Sequence, residues 1–232
     1  MKRPPVDPLL VQLVDAALAH VAFDGWSETT FRAAVSDVGA DPAHARTLCP
    51  RGALDLAVAY HQRGDRAMVD ALQAADLSEM RFRDKVAHAI WLRLEAITDK
   101  EAVRRGTALF ALPHMAPEGA KLVWGTADAI WDALGDSSRD VNWYTKRLTL
   151  SGVYSAVVLF WLGDDSLGHQ ATRGFIDRRI DNVMQFEKAK ARARTDPFLR
   201  PFASALGKLT ARVKAPPAVP DVDLPGIWRD PQ

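Results

Sequence analysis

One cysteine in 232 residues, Cys49, leaves no partner for a disulfide within the chain and no set of thiolates for a metal cluster, which fits a reducing compartment. Charge of one sign is also missing: 30 Lys and Arg face 29 Asp and Glu, so the whole chain is not a polycation for nucleic acid. The longest apolar run, Val153 to Leu162, falls short of the ~20 residues that cross a bilayer. Met1 to Pro8 carries no apolar signal core and no amphipathic presequence. These absences predict a cytoplasmic protein, at most attached peripherally to a membrane. Strand-like alternation is scarce and no repeat is found. The six histidines, His20, His44, His61, His88, His114 and His169, form no Glu-x-x-His or His-x-x-x-His frame. A glycine-rich phosphate loop and a nucleophile elbow are absent as well, so the chain is expected to be no enzyme and to hold no metal or cofactor. His114, at a helix break beside apolar residues, is the histidine to watch; the alternative is a loop cap.

What is present is helical spacing. Leu9, Leu10, Leu13, Val14, Ala17, Leu18 and Val21 make one apolar stripe, closed by Gly25. Ser27 or Thr29 caps a second helix ended by Gly39, and Asp41 with Pro42 starts a short third one reaching Leu48. After Pro50 and Gly52 a long helix is predicted from Ala53 to Ala74, then others from Ser78 to Ile97, from a Thr98/Glu101 capping box to before Pro113, and from Pro117 to Gly135. Asp140 caps a helix running to Leu162, and a last long one follows Gly163-Asp164-Asp165. The order of the first four elements is that of a TetR-type DNA-binding head, so a ligand-responsive transcriptional regulator is the competing functional class. Its chemistry is poor. The short third helix offers only His44, Arg46 and Thr47, and residues 1–74 hold seven Lys and Arg against nine Asp and Glu. DNA binding is therefore not expected, and the head is read as a degenerate helix-turn-helix over 1–50, followed by a body over 51–195.

Asp140-Val141-Asn142-Trp143-Tyr144-Thr145-Lys146-Arg147 is the most informative stretch. Adjacent Trp143 and Tyr144 project about 100° apart on a helix, and Arg147 lies within stacking reach of either ring. An aromatic pair beside a guanidinium is the composition of a protein-binding hot spot. The alternative is a helix start whose Trp packs inward.

The run from Ala111-Leu112-Pro113-His114-Met115 through Trp131 to Asn142-Trp143-Tyr144-Thr145-Lys146-Arg147 resembles the ubiquinone-biosynthesis accessory family known as the ninth Coq protein. The likeness spans most of residues 9 to 190. It implies an all-α, TetR-like fold, a bound lipid, and a surface that meets the di-iron hydroxylase of the pathway. That surface has Asn-Trp-Tyr-Thr-Arg-Arg in the family, and Lys146 departs from it, keeping the charge and losing the guanidinium fork. The resemblance adds Asp128, Ile130 and Asp140 to Trp143, Tyr144 and Arg147 as partner-binding residues, and TetR-like precedent implies a homodimer through 148–162 and 166–190. It also implies a non-catalytic role: holding a polyisoprenoid quinone precursor and presenting it to the hydroxylase.

Bulky apolar side chains exceed what a tight core demands, and Trp91, Leu94, Leu109, Leu112, Met115 and Trp124 are the predicted lipid contacts; plain core packing is the alternative. Beyond the last long helix, Phe198, Phe202, Leu206, Leu209 and Val213 recur at helical spacing. Eight Lys and Arg and one Asp fall within 188–214. A basic amphipathic helix over 196–214 would touch an anionic bilayer, each cation contributing roughly 1 kcal/mol. The alternative is that this stripe folds back onto protein. Residues 215–232, rich in Pro and Asp, read as an extended tail.

Overall fold

A computed structural model describes residues 6–195 and 215–216, with side chains through residue 185 and at 215–216. The elements are α1 (Pro8–Asp24), α2 (Glu28–Asp37), α3 (Pro42–Leu48), α4 (Ala53–Ala74), α5 (Phe82–Glu95), α6 (Lys100–Phe110), α7 (Ala116–Ala133), α8 (Val141–Leu162) and α9 (Gln170–Thr195), with a 3-10 turn at Leu167–His169 before α9. No strand occurs among the described residues.

Local chemistry accounts for most of the boundaries. Asp7, Ser27, Asp41, Asp99 and Asp140 each cap a helix by accepting a hydrogen bond from a backbone N–H of its first turn. Two predicted starts move. Helix α5 begins at Phe82 instead of Ser78, because Asp76 takes the Ser78 N–H at 3.0 Å and holds 76–81 in a turn. The Thr98/Glu101 box does not form. Asp99 caps α6 through the Ala102 N–H at 2.9 Å, and Glu101 faces outward to Arg104 and Arg105. The Tyr60 hydroxyl fixes this cap from α4, donating to the Asp99 carbonyl at 3.2 Å and receiving its N–H at 3.1 Å.

Two apolar clusters share α4 as a spine. The first holds Leu13, Val14, Ala17, Val21, Trp26, Phe31, Ala34 and Cys49 with Leu56 and Tyr60 from the start of α4, and Ala102 of α6. Trp26 closes it by donating its indole N–H to the Ala102 carbonyl at 3.0 Å. The head's core thus continues past residue 50 into the body. The second cluster packs Met68 and Leu72 of α4 against Val86, Ile90, Trp91 and Leu94 of α5, Ile130 of α7, Leu150, Tyr154, Val157 and Trp161 of α8, and Ile176 and Ile180 of α9. Gly52, at φ +60 before α4, sits where any side chain would meet the Arg46–Glu28 ion pair within 2.9 Å.

Candidate functional site: an apolar pocket and an aromatic patch

A pocket of about 280 Å³ opens between α4, α5, α6, α7 and α8. Its outer wall is apolar: Phe110, Val158 and Leu159 stand with Ala111, Ala116 and Ala120, and Leu159 is 60% exposed. Polar groups cluster on its buried side, beside Ala102 and Leu122. Arg93 is buried there, its Nε 2.6 Å from Asp65 Oδ1 and an Nη2 proton on the His61 carbonyl at 3.0 Å. His61 Nε2 lies 2.8 Å from the Thr126 hydroxyl, which donates to Asp65 Oδ1 at 2.8 Å. Burial pushes the His61 pKa down to about 4, against the opposing pull of the Asp65 carboxylate, so the ring is neutral at pH 7. Gly64 lies within the interior of α4, where glycine is disfavoured, because an added Cβ would sit 2.5 Å from Arg93 Nη1.

None of the six residues expected to contact lipid lines this pocket. Trp91 and Leu94 are buried in the body core, and the Arg173 guanidinium stacks 3.6 Å from the Trp91 ring centroid. One residue of helix turns the side chain about 100°, so Arg93 of the same helix meets the pocket instead, with Ala96 and Ile97 just beyond the helix end. Leu109 packs against the head cluster, while Leu112 is 44% exposed in the α6–α7 turn beside half-buried Met115. His114 is exposed in that same turn. The histidine at the pocket is His61, which no sequence motif distinguished.

Trp124 belongs to the second feature. Its ring centroid lies 5.9 Å from Trp143 and 6.5 Å from Tyr144, and those two rings meet edge to face at 4.8 Å. Trp143 and Tyr144 are half-buried, and Asp140 is exposed beside them as the α8 cap. The expected patch loses two members. Ile130 is fully buried in the body core, and Arg147 is 1% exposed, so neither presents a side chain to a partner. Arg147 is an internal staple: its guanidinium reaches Asp128, Asp132 at 2.9 Å and Asp136 at 3.0 Å, leaving Asp128 half-exposed above it. Lys146 shares Asp136 with Arg147, taking the other carboxylate oxygen at 2.7 Å, and reaches Ser138 at 2.6 Å. Burial raises the Asp136 pKa, but the hydrogen bonds from Lys146, Ser138 and Arg147 outweigh it and hold the group near about 2.

A second cavity of about 250 Å³ lies between α5, α7, α8 and α9, bounded by Trp131, Val153 and Ile180 among others. In the head, Arg46 of α3 is engaged by Glu28 and lies over the Phe31 ring at 4.4 Å, which removes one of the three groups available for nucleic acid. The Thr47 hydroxyl donates to the Ala43 carbonyl at 2.9 Å. Among the described residues no group of three His, Cys, Asp or Glu could hold a metal, and no helix is long and apolar enough to cross a membrane. Phe198, Phe202, Leu206, Leu209 and Val213, with the rest of 196–214 and 217–232, lie outside the described residues.

Residues 116–187, which carry both the aromatic patch and the α8 side of the pocket, match the COQ9 family model. The ubiquinone biosynthesis protein COQ9, mitochondrial, of Drosophila melanogaster is 30% identical over 218 residues, covering 91% of this chain. The chain belongs to the COQ9 family. Its Homo sapiens relative of the same name is 26% identical over 180 residues, or 75% of this chain, and a probable coq9 protein of Dictyostelium discoideum is 28% identical over 191 residues, or 78%. The chain spans 66%, 62% and 57% of the Drosophila, Dictyostelium and human proteins, all of which are named as mitochondrial. The fold has a wider kinship. A TetR transcriptional regulator from Nitrosomonas europaea superposes with a TM-score of 0.64 at 20% identity, covering 77% of this chain and 99% of that one. This COQ9-family chain is therefore all-α and TetR-like.

Proposed function

We propose that this chain is a non-catalytic, lipid-binding accessory protein of ubiquinone biosynthesis, which holds a polyisoprenoid quinone precursor and presents it to a ring hydroxylase. The observation that carries the reading is the pocket of about 280 Å³ with an apolar mouth. Its volume is close to the lower end of small-molecule sites, roughly 300 Å³, so a long tail would extend beyond it. Membership of a family whose relatives are named for ubiquinone biosynthesis supplies the pathway. Trp143 and Tyr144, with Asp128 and Asp140, are the proposed hydroxylase contact. Leu148 and Phe160 of α8 and Leu167 after it are exposed apolar side chains, which supports homodimerisation along 148–162 and 166–190. The basic stripe of 196–214 is the proposed contact with an anionic membrane surface.

Mass spectrometry of lipid extracted from the purified protein tests the reading, set beside the same measurement on Val158→Trp, which fills the pocket. The expected result is a prenylated ring compound in the first sample and its loss in the second. No lipid, or equal lipid in both, refutes it. The TetR-like architecture favours a second reading, a ligand-responsive regulator. A DNA shift at low salt that disappears on adding the bound lipid would establish that reading and refute the first.

A further inference from the structure

The polarity of the pocket runs opposite to that of a bilayer leaflet, with donors and acceptors at the inner wall and apolar side chains at the mouth. Arg93 has five N–H groups. Nε is taken by Asp65 and one Nη2 proton by the His61 carbonyl. Nη1 lies over the bare Cα of Gly64 and meets no hydrogen-bond acceptor among the described residues, in a side chain that is only 3% exposed. Arg93 and Gly64 both line the pocket. Two neighbouring hydroxyls are engaged elsewhere: Tyr60 by the Asp99 peptide, Thr126 by Asp65 and His61. Three of the five N–H groups, both on Nη1 and one on Nη2, therefore have no protein acceptor among the described residues and can bond a guest in the pocket.

The charges restrict what that guest can be. Asp65 neutralises Arg93, and Arg63 on the same wall is paired with Asp15. A carboxylate or phosphate placed there would add a buried negative charge with no free cation to balance it. An uncharged oxygen acceptor meets no such penalty. Size adds a second restriction. An apolar cavity of ~150 Å³ holds benzene, so about 280 Å³ holds one ring and the first carbons of a tail. The exit for the remainder is the apolar side, past Phe110, Val158 and the exposed Leu159.

We propose that the pocket takes its lipid head-first: an uncharged ring oxygen, phenol or quinone carbonyl, accepts a hydrogen bond from Arg93 Nη1, and the tail leaves between α6 and α8. This rests on the lipid-binding reading above and adds to it the chemistry of the head group, its orientation and the residue that selects it. Arg93 is a specificity-determining residue, and Gly64 is the positioning residue that leaves room for its Nη1.

Three probes with one farnesyl tail decide the matter: 4-farnesylphenol, a farnesyl hydrocarbon and farnesoic acid, each titrated into the full chain by calorimetry. The phenol is expected to bind at least tenfold tighter than either of the others. The Arg93 Nε–Hε NMR signal, identified by its loss in Arg93→Lys, is expected to move with the phenol and not with the hydrocarbon. Gly64→Ala, which displaces Nη1, should remove the preference and keep hydrocarbon binding. Equal affinity for all three probes, or an unmoved Arg93 signal, overturns the head-first orientation and leaves lipid binding standing. Failure of every probe to bind overturns lipid binding and this proposal together. A variant that does not fold changes nothing, because the comparison of probes on the unaltered chain stands alone.

Discussion

The Arg147 guanidinium lies 4.0 Å over the centroid of the Trp143 ring, one turn back along α8, while its nitrogens reach three carboxylates at four-residue spacing, Asp128, Asp132 and Asp136. One side chain thereby ties the start of α8 to the end of α7 and supports the aromatic patch from below. Arg147, read from the sequence as part of a docking surface, instead holds that surface from beneath.

Arg147→Ala is predicted to cost roughly 1.5–3 kcal/mol of folding stability, the usual worth of a charge-assisted bond to a buried carboxylate. Here that carboxylate is Asp136, whose side chain is 2% exposed and which keeps Lys146 as its remaining charged partner. Tyr144→Ala should leave stability within about 1 kcal/mol, yet weaken hydroxylase binding by more than 1 kcal/mol. Urea titration and a pull-down read the two effects. A stable Arg147→Ala, or a Tyr144→Ala with normal partner binding, contradicts this division of labour.

Helical glycines should respond to alanine according to the space above them. At Gly152 of α8 nothing lies within 4 Å of an added Cβ, and the substitution should stabilise by up to ~1 kcal/mol through helix propensity. At Gly64 the collision with Arg93 should reverse the sign, with a net loss of about 1–2 kcal/mol. Thermal melts of the two variants side by side suffice, and equal shifts would show that Arg93 yields freely.

His61 should make the fold acid-sensitive. Its folded pKa of about 4 lies below the unfolded value near 6.5. As pH falls through 6.5 the unfolded chain therefore binds a proton that the folded chain refuses. Its contribution is fully present above 6.5 and declines below it, reaching a loss on the order of 3 kcal/mol below pH 4. His61→Gln should flatten the stability profile between pH 7 and 4.5, whatever its effect at pH 7. Parallel profiles for the two proteins would rule out this residue as the source.

Removing residues 196–232 is expected to leave a folded dimer that no longer floats with anionic vesicles. Vesicle flotation at low and moderate salt, with light scattering for the mass, checks both halves. Undiminished flotation by the shortened chain places the membrane contact elsewhere, and a monomer before truncation removes the dimer.

Helix boundaries were legible wherever a short polar side chain could cap its own backbone. Asp41 and Asp140 are read correctly, and Ser27 is one of the two caps the sequence offers for α2, because the bond they make spans two or three residues. The same logic misplaced the start of α6 by one residue, choosing Thr98 over Asp99, since the choice between adjacent caps was settled from α4 by Tyr60. The aromatic patch was half legible. Adjacency and spacing correctly marked Trp143, Tyr144 and Arg147 as a unit, but the burial of Arg147 depends on three carboxylates eleven to nineteen positions earlier.

What the sequence by itself determined is the local grammar: an all-helical fold, several of the caps, and the stretch by which its family is known. These follow from interactions within a turn or two of helix, where periodicity and side-chain chemistry act directly. The tertiary structure alone decided which face of α5 meets the pocket, that Arg93 and His61 rather than the tryptophans form its inner wall, and that Trp124 joins the aromatic patch. A pocket is a convergence of α4, α5, α6, α7 and α8, and a rotation of 100° per residue sends neighbours on one helix to different destinations. Spacing identifies an apolar face, but the packing of the other helices settles what that face meets.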